Sequence, residues 1–322
     1  MKLAVIGAGA VGSTVAEFAD SYGHTVTALA DSESSVVDPS GIDVPAALET
    51  KRESGTLGER DSEAALSAAY DCLVETTPTA LGDAEPAFGH VAAALERDRH
   101  VVLGNKGPVA QRYSDVMALE AESDGSVHFE ATIGGPLPLL GTIRDVGPER
   151  IHGVQGVFNG LANFILSRMA AEGLGYEHVL AEAQDLGIAE VDPTFDVEGT
   201  DTALTCSILA NVLSTSSREF TVDDVSIEGI TEIPGSALEL AKADGKTVRF
   251  LGDVSDGRLS VAPRTVPQTS PLAVSGPQTV VQLDIQNAGR MNVSSSTATS
   301  REVANAILTD VNRISRVDAT TR

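Results

Sequence analysis

Lys2-Leu-Ala-Val-Ile-Gly7-Ala-Gly9-Ala-Val-Gly12, continued by Ser13 to Tyr22 and His24 to Asp31, is the stretch on which the fold turns. Lys2 to Ile6 is a short apolar strand and the segment through about Tyr22 is a helix. His24 to Ala30 is a second strand ending at Asp31. Between the first strand and the helix, three glycines stand in the G-x-G-x-x-G pattern. Gly7 makes the tight turn, Gly9 lets backbone approach a pyrophosphate, and Gly12 lets the helix pack on the strand. Ala8, Ala10 and Val11 complete a turn whose N–H groups and partial positive charge suit a phosphate. Asp31 lies about 20 residues on, where an acid binds ribose hydroxyls. Strand, turn, helix, strand and acid in that order predict a site for NAD or NADP.

Outward from this unit the same rhythm repeats. Residues 38 to 45 read as a loop and Ala46 to Glu53 as a short helix carrying Lys51 and Arg52. Cys72 to Thr77 is a strand, Phe88 to Arg97 a helix, Val101 to Gly104 a strand, Tyr113 to Glu122 a helix, and Val127 to Ile133 a strand. Short apolar strands alternating with amphipathic helices predict an α/β domain with a doubly wound, Rossmann-type parallel sheet. The strand ends (the Gly7 turn, Asp31, Thr77-Pro78-Thr79, Asn105-Lys106) then share one edge, where such sheets bind ligands.

Past about residue 135 the rhythm changes. Arg150 to Phe158, Val225 to Glu232, Val248 to Val254, Leu259 to Val266 and Thr279 to Ile285 read as strands, with a hairpin turn at Ser255-Asp256-Gly257. Ala162 to Ala171, Tyr176 to Leu186 and Thr200 to Leu213 read as helices, and Glu302 to Arg313 as a closing helix. The expected organisation is a dinucleotide-binding domain over 1–134, with a closing helix in 297–322 packing back on it. Residues 135–296 form an α+β substrate-binding and dimerisation domain with a mixed sheet.

Inside that second domain, Asp185 to Asp201 places six carboxylates in seventeen residues, interrupted by Gly187, Pro193 and Gly199. Pro193 and Gly199 hold the segment in a loop. Thr200 is expected to cap the following helix and to leave Asp201 in its first turn, near free N–H groups. Such a loop suits a cationic or hydroxylated small molecule; it also reads as the surface loop of an acidic protein.

Composition narrows the partners. The net charge of −24 argues against nucleic acid and anionic membranes. Only five lysines are present, with no tryptophan, a balance that resembles proteins of high-salt cytoplasms. Cys72 and Cys206 have no metal-type spacing and read as core residues in a reducing compartment. No apolar run approaches the ~18 residues of a bilayer span. The start lacks the basic region of a signal peptide. A soluble, cytoplasmic protein is expected. Lys106 stands out, because a chain poor in lysine places one directly after a sheet strand. An ammonium there suits stabilising or protonating a substrate oxygen during hydride transfer.

With these residues assembled, the chain resembles the homoserine dehydrogenase family over nearly its whole length, without a C-terminal regulatory extension. The stretches that carry the resemblance are the Gly7 fingerprint, Glu75-Thr-Thr-Pro-Thr79, Asn105-Lys-Gly-Pro108, and Glu130-Ala-Thr-Ile-Gly-Gly-Pro-Leu-Pro138. Asn163-Phe-Ile-Leu-Ser-Arg-Met169 and Ala183-Gln-Asp-Leu-Gly-Ile-Ala-Glu-Val-Asp-Pro193, continued through Asp196, Gly199 and Asp201, complete the set. The resemblance implies interconversion of L-homoserine and L-aspartate 4-semialdehyde, in threonine, methionine and isoleucine biosynthesis, by a homodimer. It implies that Glu190 holds the substrate amine, that Asp192, Asp196 and Asp201 shape the polar pocket, and that Lys106 contacts the reacting oxygen, with Thr77, Pro78 and Asn105 at the cofactor. Glu130 and the carbonyls of Ile133, Gly135 and Leu137 resemble a sodium-type monovalent cation site.

Three positions depart from the family. Thr205 stands where a lysine is usual, one helical turn after Asp201. Asn159-Gly-Leu-Ala-Asn163 replaces Asn-Gly-Thr-Thr-Asn, and Gln286-Asn-Ala-Gly-Arg290 replaces Gly-x-Gly-Ala-Gly. Two other readings stay open: a dehydrogenase acting on another amino or hydroxy acid, and a dinucleotide-binding protein without turnover.

Overall fold

The structure, a computed structural model, describes residues 1–216, 218–255, 257–276, 278–295 and 299–321. The chain divides into two compact units, Met1–Pro136 with Thr299–Arg322, and Leu137–Ala298. The first is built on a six-stranded sheet of β1 (Lys2–Ile6), β2 (Thr25–Ala30), β3 (Ser35–Val37), β4 (Cys72–Glu75), β5 (His100–Leu103) and β6 (Val127–His128), ordered β3-β2-β1-β4-β5-β6. All neighbours are parallel except β3, which runs antiparallel to β2 at the edge. The chain leaves β1 toward β2 and later crosses to β4. The crevice between the ends of β1 and β4 is therefore the switch point of an α/β fold.

The interior strands are apolar throughout because both faces are covered. Leu3 and Val5 of β1 are buried in one cluster with Val15 and Ala16 of helix Ala10–Phe18. The same cluster takes in Ile307, Leu308, Val311 and Ile314 of helix Ser300–Thr321. Helix Ala87–Leu95 packs on β4 and β5. Helix Val44–Ser54 starts on Asp43, whose carboxylate accepts the Ala46 N–H at 3.1 Å, with Pro45 in its first turn.

The second unit carries β7 (Ile151–Val157), β8 (Val225–Ile227), β9 (Lys246–Ser255), β10 (Arg258–Pro267), β11 (Thr279–Ile285) and β12 (Gly289–Ser295). Their order is β12-β11-β7-β9-β10-β8. Only the β10–β8 pairing is parallel, so the sheet is mixed. Helices Gly160–Glu172, Thr200–Leu213 and Gly235–Ala243 pack on β9, and Thr200–Leu213 also on β10. Every residue from Thr202 to Asn211 is buried, so that segment presents no solvent face and is not amphipathic. Where β9 runs past the residues that β7 pairs, the Asn163 side chain completes its ladder. It donates to the Phe250 carbonyl and accepts the Phe250 N–H, both at 3.0 Å.

Several expectations are corrected. The strand expected over Val127 to Ile133 stops at His128, because Phe129 leaves the extended region (φ −148°, ψ 32°) and Glu130–Thr132 forms a 3-10 turn. The strand expected from Val225 to Glu232 ends at Ile227, the last residue that β10 pairs. Thr200 does not cap its helix. Gly199 occupies the cap position at φ +97°, and a Cβ there would lie 2.9 to 3.1 Å from Ile227, Phe250 and Val261. β3, β12 and helices Glu63–Leu66, Leu139–Val146 and Gly235–Ala243 were not anticipated. Asp256 of the expected hairpin lies outside the described residues, although β9 and β10 pair antiparallel on either side of it. Residues 297, 298 and 322 of the expected closing segment are also outside.

Candidate functional site

At the switch-point crevice the glycine turn is fixed by what lies against it. Gly7 sits at φ +103°, and a Cβ there would fall 2.5 Å from the Thr76 carbonyl carbon. A Cβ on Gly12 would fall 2.1 Å from the Gly7 oxygen and 2.6 Å from the Thr76 hydroxyl. That hydroxyl donates to the carbonyls of Ile6 and Gly7 at 3.1 and 3.0 Å, so the loop after β4 is stitched to the turn after β1. At Gly9 a Cβ would meet nothing within 4 Å, and the helix that starts there has no side-chain cap. Gly9 and Ala10 are exposed, Val11 partly so, and Ala8 and Gly12 buried. Open space beside uncapped N–H groups fits the pyrophosphate of a dinucleotide.

Asp31, at the end of β2, is already committed within its own loop. Its Oδ1 accepts the N–H groups of Glu33 and Ser34 at 3.0 and 2.8 Å and the Ser34 hydroxyl at 3.1 Å. Its Oδ2 lies 3.0 Å from Lys51 Nζ, which also donates to the Ala8 carbonyl at 2.8 Å. Burial works to raise the Asp31 carboxyl, but Lys51 and the loop donors outweigh it and hold the group below the ordinary aspartate range. One ammonium thus bridges the glycine turn and Asp31.

On the other side of β1, the loops after β4 and β5 carry Thr77, Pro78, Asn105 and Lys106. Asn105, 1 % exposed, donates to the Thr77 hydroxyl and the Pro78 carbonyl, both at 3.2 Å, and accepts the Gly107 N–H at 2.8 Å. Lys106 is half-buried in front of helix Gly107–Gln111, with its N–H 3.4 Å from the Thr79 hydroxyl. Beneath them lies Glu75, wholly buried at the end of β4 and paired with His90.

In the second unit, Asn159 gathers two of the predicted carboxylates. Its Nδ2 lies 2.6 Å from Asp196 Oδ1 and 3.4 Å from Asp201 Oδ2, while its Oδ1 caps helix Gly160–Glu172 by accepting the Ala162 N–H at 2.9 Å. Glu190 and Asp192 are exposed, and Asp192 accepts the Thr194 N–H at 3.1 Å. Beside Glu190, Leu186, Ile188 and Val191 turn outward, Val191 being 96 % exposed. The loop is tied back by the N–H groups of Ile188 and Ala189, which donate to the Ala183 carbonyl at 2.8 and 3.1 Å, and by Gln184, which donates to the carbonyls of Glu190 and Val191 at 3.1 and 3.2 Å. Thr205 is 0 % exposed, and its hydroxyl donates to the Asp201 carbonyl one turn earlier, at 3.3 Å. That hydroxyl is spent inside the helix.

In the stretch expected to hold a monovalent cation, the Glu130 carboxylate is already engaged. Arg313 already lies 2.9 Å from Glu130 Oε2 and 2.7 Å from Asp310 Oδ1, and Asp310 Oδ2 accepts the Glu130 N–H at 3.0 Å. Ile133 and Leu137 are fully buried and Gly135 is buried. Among the described residues, no group of three or more His, Cys, Asp or Glu could hold a metal. Burial raises the Asp310 carboxyl to about 6 despite Arg313.

Sequence reasoning missed Glu75, His90 and Asn159 as parts of these arrangements. A carboxylate closing the apolar strand Cys72–Glu75 was the available signal for the first. Asn159 opens the stretch compared with the family's Asn-Gly-Thr-Thr-Asn, which gave it a place but no task; for His90 there was no signal, because its role arises only when separate elements meet.

The homoserine dehydrogenase family model matches residues 138–311, and that of the glutamate/leucine/phenylalanine/valine dehydrogenases matches residues 1–81. A homoserine dehydrogenase of Methanocaldococcus jannaschii is 34 % identical over 97 % of this chain and 97 % of its own. A crystal structure of a candidate homoserine dehydrogenase from Archaeoglobus fulgidus is 37 % identical. It superposes with a TM-score of 0.89 over 98 % of this chain and 99 % of that one. A hyperthermophilic archaeal homoserine dehydrogenase solved with NADPH is 26 % identical, with a TM-score of 0.83 over 97 % and 96 % of the two chains. Among the described residues, no helix is long and apolar enough to cross a membrane. On the sequence match across both units and the shared fold, the chain belongs to the homoserine dehydrogenase family.

Proposed function

We propose that the protein oxidises L-homoserine to L-aspartate 4-semialdehyde, and reduces it back, with NAD or NADP as the hydride carrier. The observation that carries the reading is the glycine turn, open at Gly9 and locked at Gly7 and Gly12. It lies on the same sheet edge as Lys106 in a chain of this family. A bound nicotinamide dinucleotide supplies hydride exchange at the alcohol carbon. Ala8 to Gly12 hold its pyrophosphate, Asp31 and Lys51 meet its ribose, and Thr77, Pro78 and Asn105 line its nicotinamide end. Lys106 holds the substrate oxygen and handles its proton, while Glu190 takes the substrate amine and Asp192, Asp196 and Asp201 form the polar wall. The buried Thr205 hydroxyl supplies neither charge nor acid.

The second unit pairs two protomers in this reading, and the net charge of −24 is an adaptation to high salt. One experiment tests the core of it: homoserine oxidation followed at 340 nm with NAD+ and NADP+ in molar KCl. Turnover with either dinucleotide is expected. Dinucleotide binding without turnover would instead favour a different substrate or a non-catalytic role. The salt reading expects a melting temperature that climbs from dilute buffer to molar KCl, and the dimer should appear by light scattering.

A further inference from the structure

Glu75 ends β4 in the middle of a parallel sheet with no solvent exposure, a position where an apolar residue would pack at no electrostatic cost. Three contacts engage its carboxyl oxygens. Oε1 accepts the Thr77 N–H at 2.8 Å and the Thr77 hydroxyl; Oε2 lies 2.6 Å from His90 Nδ1, within hydrogen-bond distance. Because the Thr77 proton is committed to Glu75, its oxygen is left as an acceptor. Asn105 Nδ2 meets it at 3.2 Å. That fixes which way the Asn105 amide faces, with its oxygen turned to the Gly107 N–H at 2.8 Å. One polar thread therefore runs from His90 on helix Ala87–Leu95 through Glu75 and Thr77 to Asn105 and Gly107, the two neighbours of Lys106.

The geometry points to His90 and Glu75 as positioning residues for the Lys106 turn: they touch no reactant and hold the loops after β4 and β5 in mutual register. The inference rests on Lys106 acting at the substrate oxygen. A misplacement of about 1 Å in a catalytic group can cost roughly 100-fold in rate, so an imidazole outside the site can control the chemistry inside it.

The test compares His90→Leu, His90→Asn and the double variant Glu75→Gln/His90→Leu. His90→Leu leaves a buried carboxylate without its partner. It should lower kcat about 10- to 100-fold while moving the KM values for homoserine and dinucleotide by less than about threefold. Asparagine places an amide donor where Nδ1 stands, and glutamine at 75 removes the charge that needs matching, so both other variants should recover most of kcat. Hydrogen exchange of the ligand-free protein gives a readout independent of substrate. In His90→Leu the Thr77 and Gly107 amides should exchange at least about tenfold faster, with Leu3 to Ile6 unchanged. Unchanged Thr77 and Gly107 amides, or uniform acceleration across residues 1–136, would overturn the inference. So would a fallen melting temperature with kcat intact. If wild type oxidises no homoserine, the functional reading fails on that assay and the exchange pattern alone still decides the positioning role. Should His90→Leu not fold, His90→Gln, whose amide reaches past the Nδ1 position, replaces it against His90→Asn.

Discussion

The sheet edge of the first unit and the acidic loop of the second are both built from polar residues, yet they are held very differently. At the edge, Thr76 locks the glycine turn, Glu75 and Asn105 tie two loops together, and Lys51 bridges Ala8 and Asp31. In the loop, Asn159 gathers Asp196 and Asp201, but Glu190 and Asp192 stand exposed beside outward-facing Leu186, Ile188 and Val191. The edge is organised before anything binds. The loop holds its outer residues by fewer side-chain ties, so in the proposed function any cost of ordering them falls on substrate affinity and not on cofactor affinity.

The largest effect expected from this contrast is at Lys106. Lys106→Ala should remove about 100-fold or more of kcat, since it deletes the ammonium proposed to act at the substrate oxygen. Thr205→Lys, one turn from Asp201, should raise kcat from the wild-type level while lowering the melting temperature, because its position is fully buried. Steady-state kinetics and calorimetry read both. Wild-type turnover at ordinary dehydrogenase rates, unchanged by Thr205→Lys, would make the absent lysine irrelevant. Next comes Glu190→Gln, expected to raise the homoserine KM about 10- to 100-fold through loss of a charge-assisted bond, with dinucleotide KM unmoved. Equal losses in both would mean that loop and edge are not separate devices.

A smaller change is expected at Asp31. Asp31→Ala leaves Lys51 without its counter-ion, so the ratio of kcat/KM for NADP+ over NAD+ should rise about tenfold. An unchanged ratio would take the ribose role from Asp31. The smallest effect concerns Asp310, whose raised carboxyl titrates near 6 when folded and near the ordinary 3.8 when unfolded. The folded state binds the extra proton, so its contribution to stability is present below about pH 4 and is lost as pH rises through about 6. The melting temperature of Asp310→Asn minus that of wild type should therefore increase by a few degrees across that window, beside Glu130 and Arg313. A flat difference would place the titration elsewhere.

The first sheet was legible because buried parallel strands are written as unbroken apolar runs and the glycine turn has fixed spacing. Val127 to Ile133 misled for the same reason, since buried Ala131, Thr132 and Ile133 look like strand whatever the backbone does. In the second unit β8 reads longer than it is, since only three residues pair, and the exposed edge strand β12 carries too weak a pattern to be read at all. Site residues that sit in motifs, such as Lys106 and Asp201, could be named from the chain alone. Asn159 stands in such a motif without a task and His90 in none, because a side-chain amide and an imidazole acquire their tasks from partners 37 and 15 residues away.

The helix Ser300–Thr321 closes the core begun by Leu3 and Val5, while residues 137–298 form a unit uninterrupted in sequence. During synthesis this inverts the usual order of events. The first sheet emerges early but keeps one face uncovered until Ile307, Leu308, Val311 and Ile314 leave the ribosome, whereas the second unit has all its parts before then. The amino-terminal fold is the last to be completed, and for that interval its bare face is the part of the nascent chain most in need of a chaperone.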